Sequence, residues 1–559
     1  MSMKLKFALV GIAAMLVFAA THANAQVAIA GSSALYLEMG QAAGSNAAIG
    51  GCVWDSGSTK VFQLADSRFA EAISDTATAW ISWQPNGNCS TPVAGSEIVY
   101  LSTDSTVGNR CFFANPRCTV VPLAAISGGM ASASTLSPVT ETSLPAAVLT
   151  AVSNISVSVA ATDIRPEDAK FATLRALTPC GNPVVAGSQY LGLGYNSGDQ
   201  IKGATSIILN GTGGGFNVGN FNLMGTDPYT THALPSSFTV TPVGAVPVVV
   251  FVNPSNTAGF GSLLVSNINR ATLAGYLDGT YGRTTDLVPA GAGSATGATV
   301  VIREPLSGTY NTMEYAIPNS VENQSSQDVG LVSLNAFNNQ STFPYFNCTA
   351  VGGTVASNPL AETDTRSGGI TGKRARAIGT GNMVKAILAT PDSLGYSFWS
   401  ASNFANATAA NAKYLTVDGI DPIQETWTDG LVPTSGNDLL GDVSLAHVKD
   451  GSYPIWSVLR LVSDNSGSGY TVAQNLASAA LSFLSPAQPD FVPMTQLGVV
   501  RSHFSPPGVS YPGNGGNPSD GVGSAESGGD VAGLVYSKTA ETDYNADNGA
   551  STGNVGHRQ

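Results

Sequence analysis

Residues 299–312 read Thr-Val-Val-Ile-Arg-Glu-Pro-Leu-Ser-Gly-Thr-Tyr-Asn-Thr, and the reading of the whole chain turns on them. The β-branched run at 299–302 predicts a buried strand. That strand ends on a single cation, Arg303, and the turn Ser307-Gly308-Thr309 then opens a predicted helix over 311–316. A hydroxyl–glycine–hydroxyl turn of this kind offers backbone N–H groups, two hydroxyls and the positive end of a helix dipole. A planar guanidinium beside it grips a tetrahedral oxyanion through two parallel hydrogen bonds. The segment suits an anion held by neutral donors and one positive charge. An ordinary strand–turn–helix with a surface Arg has the same letters, so the rest of the chain has to decide.

Outward from this stretch the same pattern recurs. Residues 27–30 alternate as a strand running into Gly31-Ser32-Ser33, with a helix predicted over 34–43. Strands at 97–101 and 155–161 run into Ser102-Thr103-Asp104-Ser105-Thr106 and Thr162-Asp163. Residues 246–252 form a continuous apolar run, as in a strand covered on both faces. Further helices are predicted over 269–277, 383–388 and 472–484, and strands over 394–399 and 455–462. Strands alternating with helices predict an α/β fold, with hydroxyl groups at strand carboxyl ends, where open sheets collect ligands. Between these elements lie Gly/Ser/Thr/Asn-rich stretches at 44–95, 119–150, 175–240 and 318–375. They are too long for simple connections and read as insertions on a smaller core. The Gly/Ser-rich residues 506–559 read as a flexible tail.

The N-terminus reads as an export signal: Lys4 and Lys6 precede an apolar run at 7–20, and Ala23-Asn24-Ala25 is a small-x-small cleavage pattern. Cleavage after Ala25 leaves Gln26 first, with no cysteine for a lipid anchor, and no later stretch is apolar enough to span a bilayer. The expected destination is the periplasm or beyond. The formal net charge of −13 argues against a nucleic-acid surface, since phosphate backbones attract basic patches. It does not exclude a recessed anion site, which is governed by its local donors. Six cysteines, Cys52, Cys89, Cys111, Cys118, Cys180 and Cys348, invite three disulfides in an exported chain. Sequence leaves all 15 pairings open. Cys111–Cys118 is the easiest local closure, Cys52–Cys89 spans a loop, and Cys180–Cys348 is what those two leave. Zinc is disfavoured because no Cys-x-x-Cys or paired-His spacing occurs.

The order of these motifs resembles the substrate-binding proteins of bacterial phosphate ABC importers, which have the type II periplasmic-binding fold. Ala30-Gly31-Ser32-Ser33-Ala34 stands at that family's opening Gly-Ala-Gly-x-Thr-Phe turn. Ala161-Thr162-Asp163-Ile164-Arg165-Pro166 is a looser form of its Ser-Asp-x-Pro motif. Its hallmark Arg-x-Asp-Gly-Ser-Gly-Thr is matched by Arg303-Glu304-Pro305-Leu306-Ser307-Gly308-Thr309. Residues 247–254, 270–279, 379–398 and Tyr453-Pro454-Ile455 are similar to its crossing strand, its Thr-Leu helix, its Gly-rich turn with the following helix and strand, and its return strand.

The resemblance implies a two-lobed α/β protein with large loop insertions, in which 27–245 and 450–505 form lobe one and 246–449 lobe two. It implies inorganic phosphate or a similar oxyanion as ligand and the membrane subunits of an importer as partners. The implied ligand groups are the Ser33 hydroxyl, the Ala34 N–H, Ser105, Asp163, Arg303, Ser307, the Gly308 N–H and Thr309. Asp163 would accept a proton from hydrogen phosphate, which sulfate lacks, and so reject sulfate. A helix N-cap is the other reading of Asp163. Two positions depart from the family: Pro305 stands where an Asp follows the Arg, and Ala34 where the first turn has an aromatic. No catalytic motif stands out. Gly368-Gly369-Ile370-Thr371-Gly372-Lys373 lacks the first Gly and the final Ser/Thr of a phosphate loop. No enzyme activity, cofactor or metal is expected. The rival expectation is a secreted or cell-surface assembly protein, self-associating through its insertions and tail, that keeps the fold without the anion.

Overall fold

The computed structural model describes residues 26–45, 49–56, 60–63, 79–122, 144–166, 169, 190–191, 195–196, 207–210, 237–263, 265–278, 281–287, 295–303, 306–317, 360–363, 371–377, 379–434, 436–483, 490–503 and 530–534. Eight core strands are β1 (Val27–Gly31), β2 (Ile98–Ser102), β3 (Val157–Thr162), β4 (Thr239–Val252), β5 (Thr299–Arg303), β6 (Thr371–Ala377), β7 (Ser393–Phe398) and β8 (Trp456–Ser463). They lie in one sheet in the order β2–β1–β3–β8–β4–β7–β5–β6.

The order contains two copies of one plan. In the first half β1 lies between β2 and β3, parallel to both, and β8 returns antiparallel to β3. In the second half β5 lies between β6 and β7, parallel to both, with β4 antiparallel to β7. A second–first–third order in each half, joined through the long strand β4, is the two-lobed type II periplasmic-binding architecture. Strand β4 makes the first crossing: its residues 239–247 pair with β8 and its residues 248–252 with β7. The apolar run in β4 follows from this position, since Val248, Val249, Val250 and Phe251 are fully buried. Each such side chain stabilises the fold by roughly 1.5–3 kcal/mol through burial.

The strands and helices predicted around the motifs form within a few residues of their expected bounds. Two insertions contain more of the sheet than expected. Residues 44–95 include Cys52–Asp55, Lys60–Gln63 and Ala79–Trp83, which extend the sheet antiparallel beyond β2. Trp80 there stacks on Tyr100 of β2, with ring centroids 5.3 Å apart. Residues 318–375 were expected to be insertion, yet β6 begins at Thr371 and is an inner strand flanked by Leu360–Thr363. Within the Gly-rich tail, Asp530–Leu534 pairs antiparallel with Val499–His503.

The bridges Cys52–Cys89 and Cys111–Cys118 are formed. Cys180, Cys348, residues 1–25 with the expected export signal, Glu304 and Pro305 lie outside the described residues. Among the described residues no helix is long and apolar enough to cross a membrane.

Candidate functional site

Strand register decides where the motif residues meet. Gly31 of β1 is level with Ser102 of β2 and Ala161 of β3, so the loops leaving these parallel strands emerge at one sheet edge. Those loops carry Ser32-Ser33, Asp104-Ser105 and Asp163. In the other half Arg303, the last residue of β5, is level with Ala377 of β6, just before Gly379-Thr380. Four helices start from these loops: α1 (Tyr36–Ser45), α2 (Ser105–Phe113), α3 (Gly308–Ala316) and α4 (Thr380–Ala389). The first turn needs its glycine. A side chain on Gly31, at φ +140, would overlap the Ala161 carbonyl of β3.

The two loop sets touch. The Ser33 hydroxyl lies 2.8 Å from that of Thr380. The Arg303 guanidinium donates to Thr380 Oγ1 at 3.0 Å and to Thr309 Oγ1 at 3.2 Å. Ser307 caps α3, its hydroxyl accepting from the N–H groups of Thr309 at 3.1 Å and Tyr310 at 3.5 Å. The Asp163 N–H donates to Ser105 Oγ at 3.3 Å, and the Ser457 hydroxyl donates to the Asp163 carbonyl. Gly308 closes the arrangement, because a Cβ there would collide with Asp163 Oδ1 and Ser105 Oγ. Seven of the eight expected groups thus share one neighbourhood.

The site is almost wholly withdrawn from solvent. Arg303 is 1% exposed and Asp163 2%, which rules out the surface-Arg reading. Asp163 Oδ1 has no hydrogen-bond partner among the described residues. Burial pushes the Asp163 carboxyl from its ordinary 3.8 up to about 7, against the pull of a backbone N–H, Arg303, Ser32 and Arg460. Neither α2 nor α4 has a side-chain cap, so their first N–H groups and dipoles add positive potential at this edge.

The eighth expected donor does not fit. The Ala34 N–H donates to Ser32 Oγ at 3.1 Å, a local turn that takes it out of the donor set. The N-cap reading of Asp163 is not realised either, since its side chain faces Gly308 of the other half. Sequence reasoning missed three supporting residues. Thr380 bridges Ser33 to Arg303; its signal was the Gly379-Thr380 turn opening a helix, the same form as Gly308-Thr309. Ser457 and Tyr100 brace the loops, the Tyr100 hydroxyl donating to the Ser32 carbonyl at 2.5 Å. Both sit inside strands and carry no local motif. The apparent phosphate-loop residues Gly372 and Lys373 lie within β6.

Fold and site together define a two-lobed α/β architecture with a buried, cation-centred cluster between its lobes. No family model matches the chain, and no curated protein matches it in sequence. Among solved structures it is similar to a phosphate-binding protein from Stenotrophomonas maltophilia, with 15% identity, 84% of this chain and 91% of that one covered, and a TM-score of 0.35. It is also similar to an ABC-type phosphate transport receptor from Vibrio cholerae, at 11% identity, 45% and 72% coverage and a TM-score of 0.25. The fold is read from strand order and the site from its contacts.

Proposed function

We propose that the chain is an exported binding protein for phosphate or a closely related tetrahedral oxyanion, held by Ser33, Ser105, Asp163, Arg303, Ser307, Gly308 and Thr309. The observation that carries this reading is the buried convergence of Arg303, hydroxyls from both lobes and the unpartnered Asp163 Oδ1. A buried acceptor left without a partner beside helix N-termini is costly unless a ligand completes it. Hydrogen phosphate offers acceptors to Arg303 and the hydroxyls and one proton to Asp163; sulfate offers no proton. The chain supplies binding rather than catalysis, and delivers its ligand to an importer in the membrane.

One observation favours the rival, a fold-conserving assembly protein without a ligand. In the closed cluster Arg303 already donates to Thr309 and Thr380, and the Ala34 N–H is already used. Calorimetric titration of the signal-free chain with phosphate, arsenate and sulfate separates the two. At a pH of about 8, phosphate heat without sulfate heat, with affinity at least about thirty-fold weaker in Arg303→Ala, supports binding; equal silence for all three anions supports the rival.

A further inference from the structure

The segment joining Arg303 to Ser307 does more than connect them. Leu306, 1% exposed, leaves the second lobe and packs in the hydrophobic cluster of the first, among Ala30, Val107, Cys111 and Phe112. Its carbonyl accepts from the Thr106 hydroxyl at 2.5 Å and from the Thr106 N–H at 3.3 Å. Thr106 is the second residue of α2, directly after the site residue Ser105, and is itself 1% exposed. An apolar side chain and two hydrogen bonds thus join the lobes at one point, beside the anion cluster but outside it. In the Arg-x-Asp-Gly-Ser-Gly-Thr motif quoted above, Leu306 occupies the position of the first glycine. A glycine there has no side chain to insert.

We propose that Leu306 and Thr106 form a latch that holds the two lobes shut over the site, so that unlatching sets the rate at which an anion leaves. The proposal rests on the oxyanion reading for its ligand, while the latch itself is a property of the lobes. Opening withdraws Leu306 from the first lobe's core and leaves the Leu306 carbonyl and Thr106 hydroxyl to be hydrated. The closed state is stabilised by both contacts, the open state by neither. Removing either speeds opening more than it slows closing, because the contacts form only when the lobes meet. The latch is therefore a residence-time device, and it distinguishes this chain from one whose lobes are held together by the ligand alone.

The test uses the full signal-free chain and the variants Leu306→Ala, Thr106→Ala and Thr106→Ser, with radiolabelled phosphate chased by unlabelled phosphate. A second arm, with no anion present, follows amide hydrogen exchange in peptides covering 103–110 and 306–312. The latch predicts phosphate release at least about thirty-fold faster in Leu306→Ala and about tenfold faster in Thr106→Ala. Thr106→Ser, which keeps the hydroxyl, stays near wild type, and exchange in both peptides rises in the two Ala variants. Unchanged exchange in both Ala variants overturns the latch, whatever the release rates. If the wild-type chain retains no phosphate, the proposed function fails, and the exchange arm still decides the latch. Should Leu306→Ala fail to fold, Thr106→Ala against Thr106→Ser carries both readouts.

Discussion

Asp163 is where burial and chemistry meet at the residue scale. Its folded pKa of about 7 lies above its ordinary 3.8. The protonated form therefore favours the folded chain: the contribution is full below pH 3.8 and is lost as pH rises through 7. Asp163→Asn removes the titration, so the anion-free variant melts progressively higher than wild type between pH 5 and pH 8, as thermal unfolding will show. In the proposed site the same group sets selectivity. Below pH 7 a neutral Asp163 donates and tolerates sulfate; above pH 7 its carboxylate repels sulfate but accepts the proton of hydrogen phosphate. Sulfate affinity measured calorimetrically falls from pH 5.5 to pH 8 in wild type and stays level in Asp163→Asn. Arg303 supplies the countercharge, and Arg303→Ala weakens phosphate binding by about 2–3 kcal/mol, at least thirty-fold.

At the scale of elements, most of what builds the site was legible in the chain. Strands ending in Gly31-Ser32-Ser33, Thr162-Asp163 and Arg303 are legible as apolar runs that meet polar turns at strand carboxyl ends, and their recurrence along the chain separates them from one ordinary strand–turn–helix. Two elements were not legible, for physical reasons. Strand β6 reads Thr-Gly-Lys-Arg-Ala-Arg-Ala, and its three cations hide an inner position. Thr380 has no individual signature; it matters only because register sets the end of β6 level with the end of β5. The Ala34 N–H failed because Ser32 competes for it two residues away. Helix α3 supplies a sharp test of closure. Gly308→Ala places a methyl against Asp163 Oδ1 and Ser105 Oγ while leaving a good helix former in the first turn. Phosphate affinity drops more than tenfold with little change in melting temperature; unaltered affinity would mean that the lobes do not meet there.

For the whole molecule, strand order in two matching halves makes the architecture, and the insertions ornament it. The Cys52–Cys89 bridge spans a separation of 37 residues and ties the outer strand Cys52–Asp55 to the small hairpin that holds Asn88–Pro92. Removing it with Cys52→Ser and Cys89→Ser costs about 3–4 kcal/mol of stability by loop-closure entropy. Its strands lie beyond β2, away from the cluster, so phosphate affinity of the folded double variant remains at the wild-type value. A parallel loss of affinity would show that the outer strands reach the site.

Whether a buried oxyanion site joins the two lobes is decided by calorimetric titration of residues 26–559 with phosphate at a pH of about 8. One phosphate binds per chain without competing sulfate heat, and Arg303→Ala binds it at least about thirty-fold more weakly. No heat and no thermal shift at millimolar phosphate would contradict it.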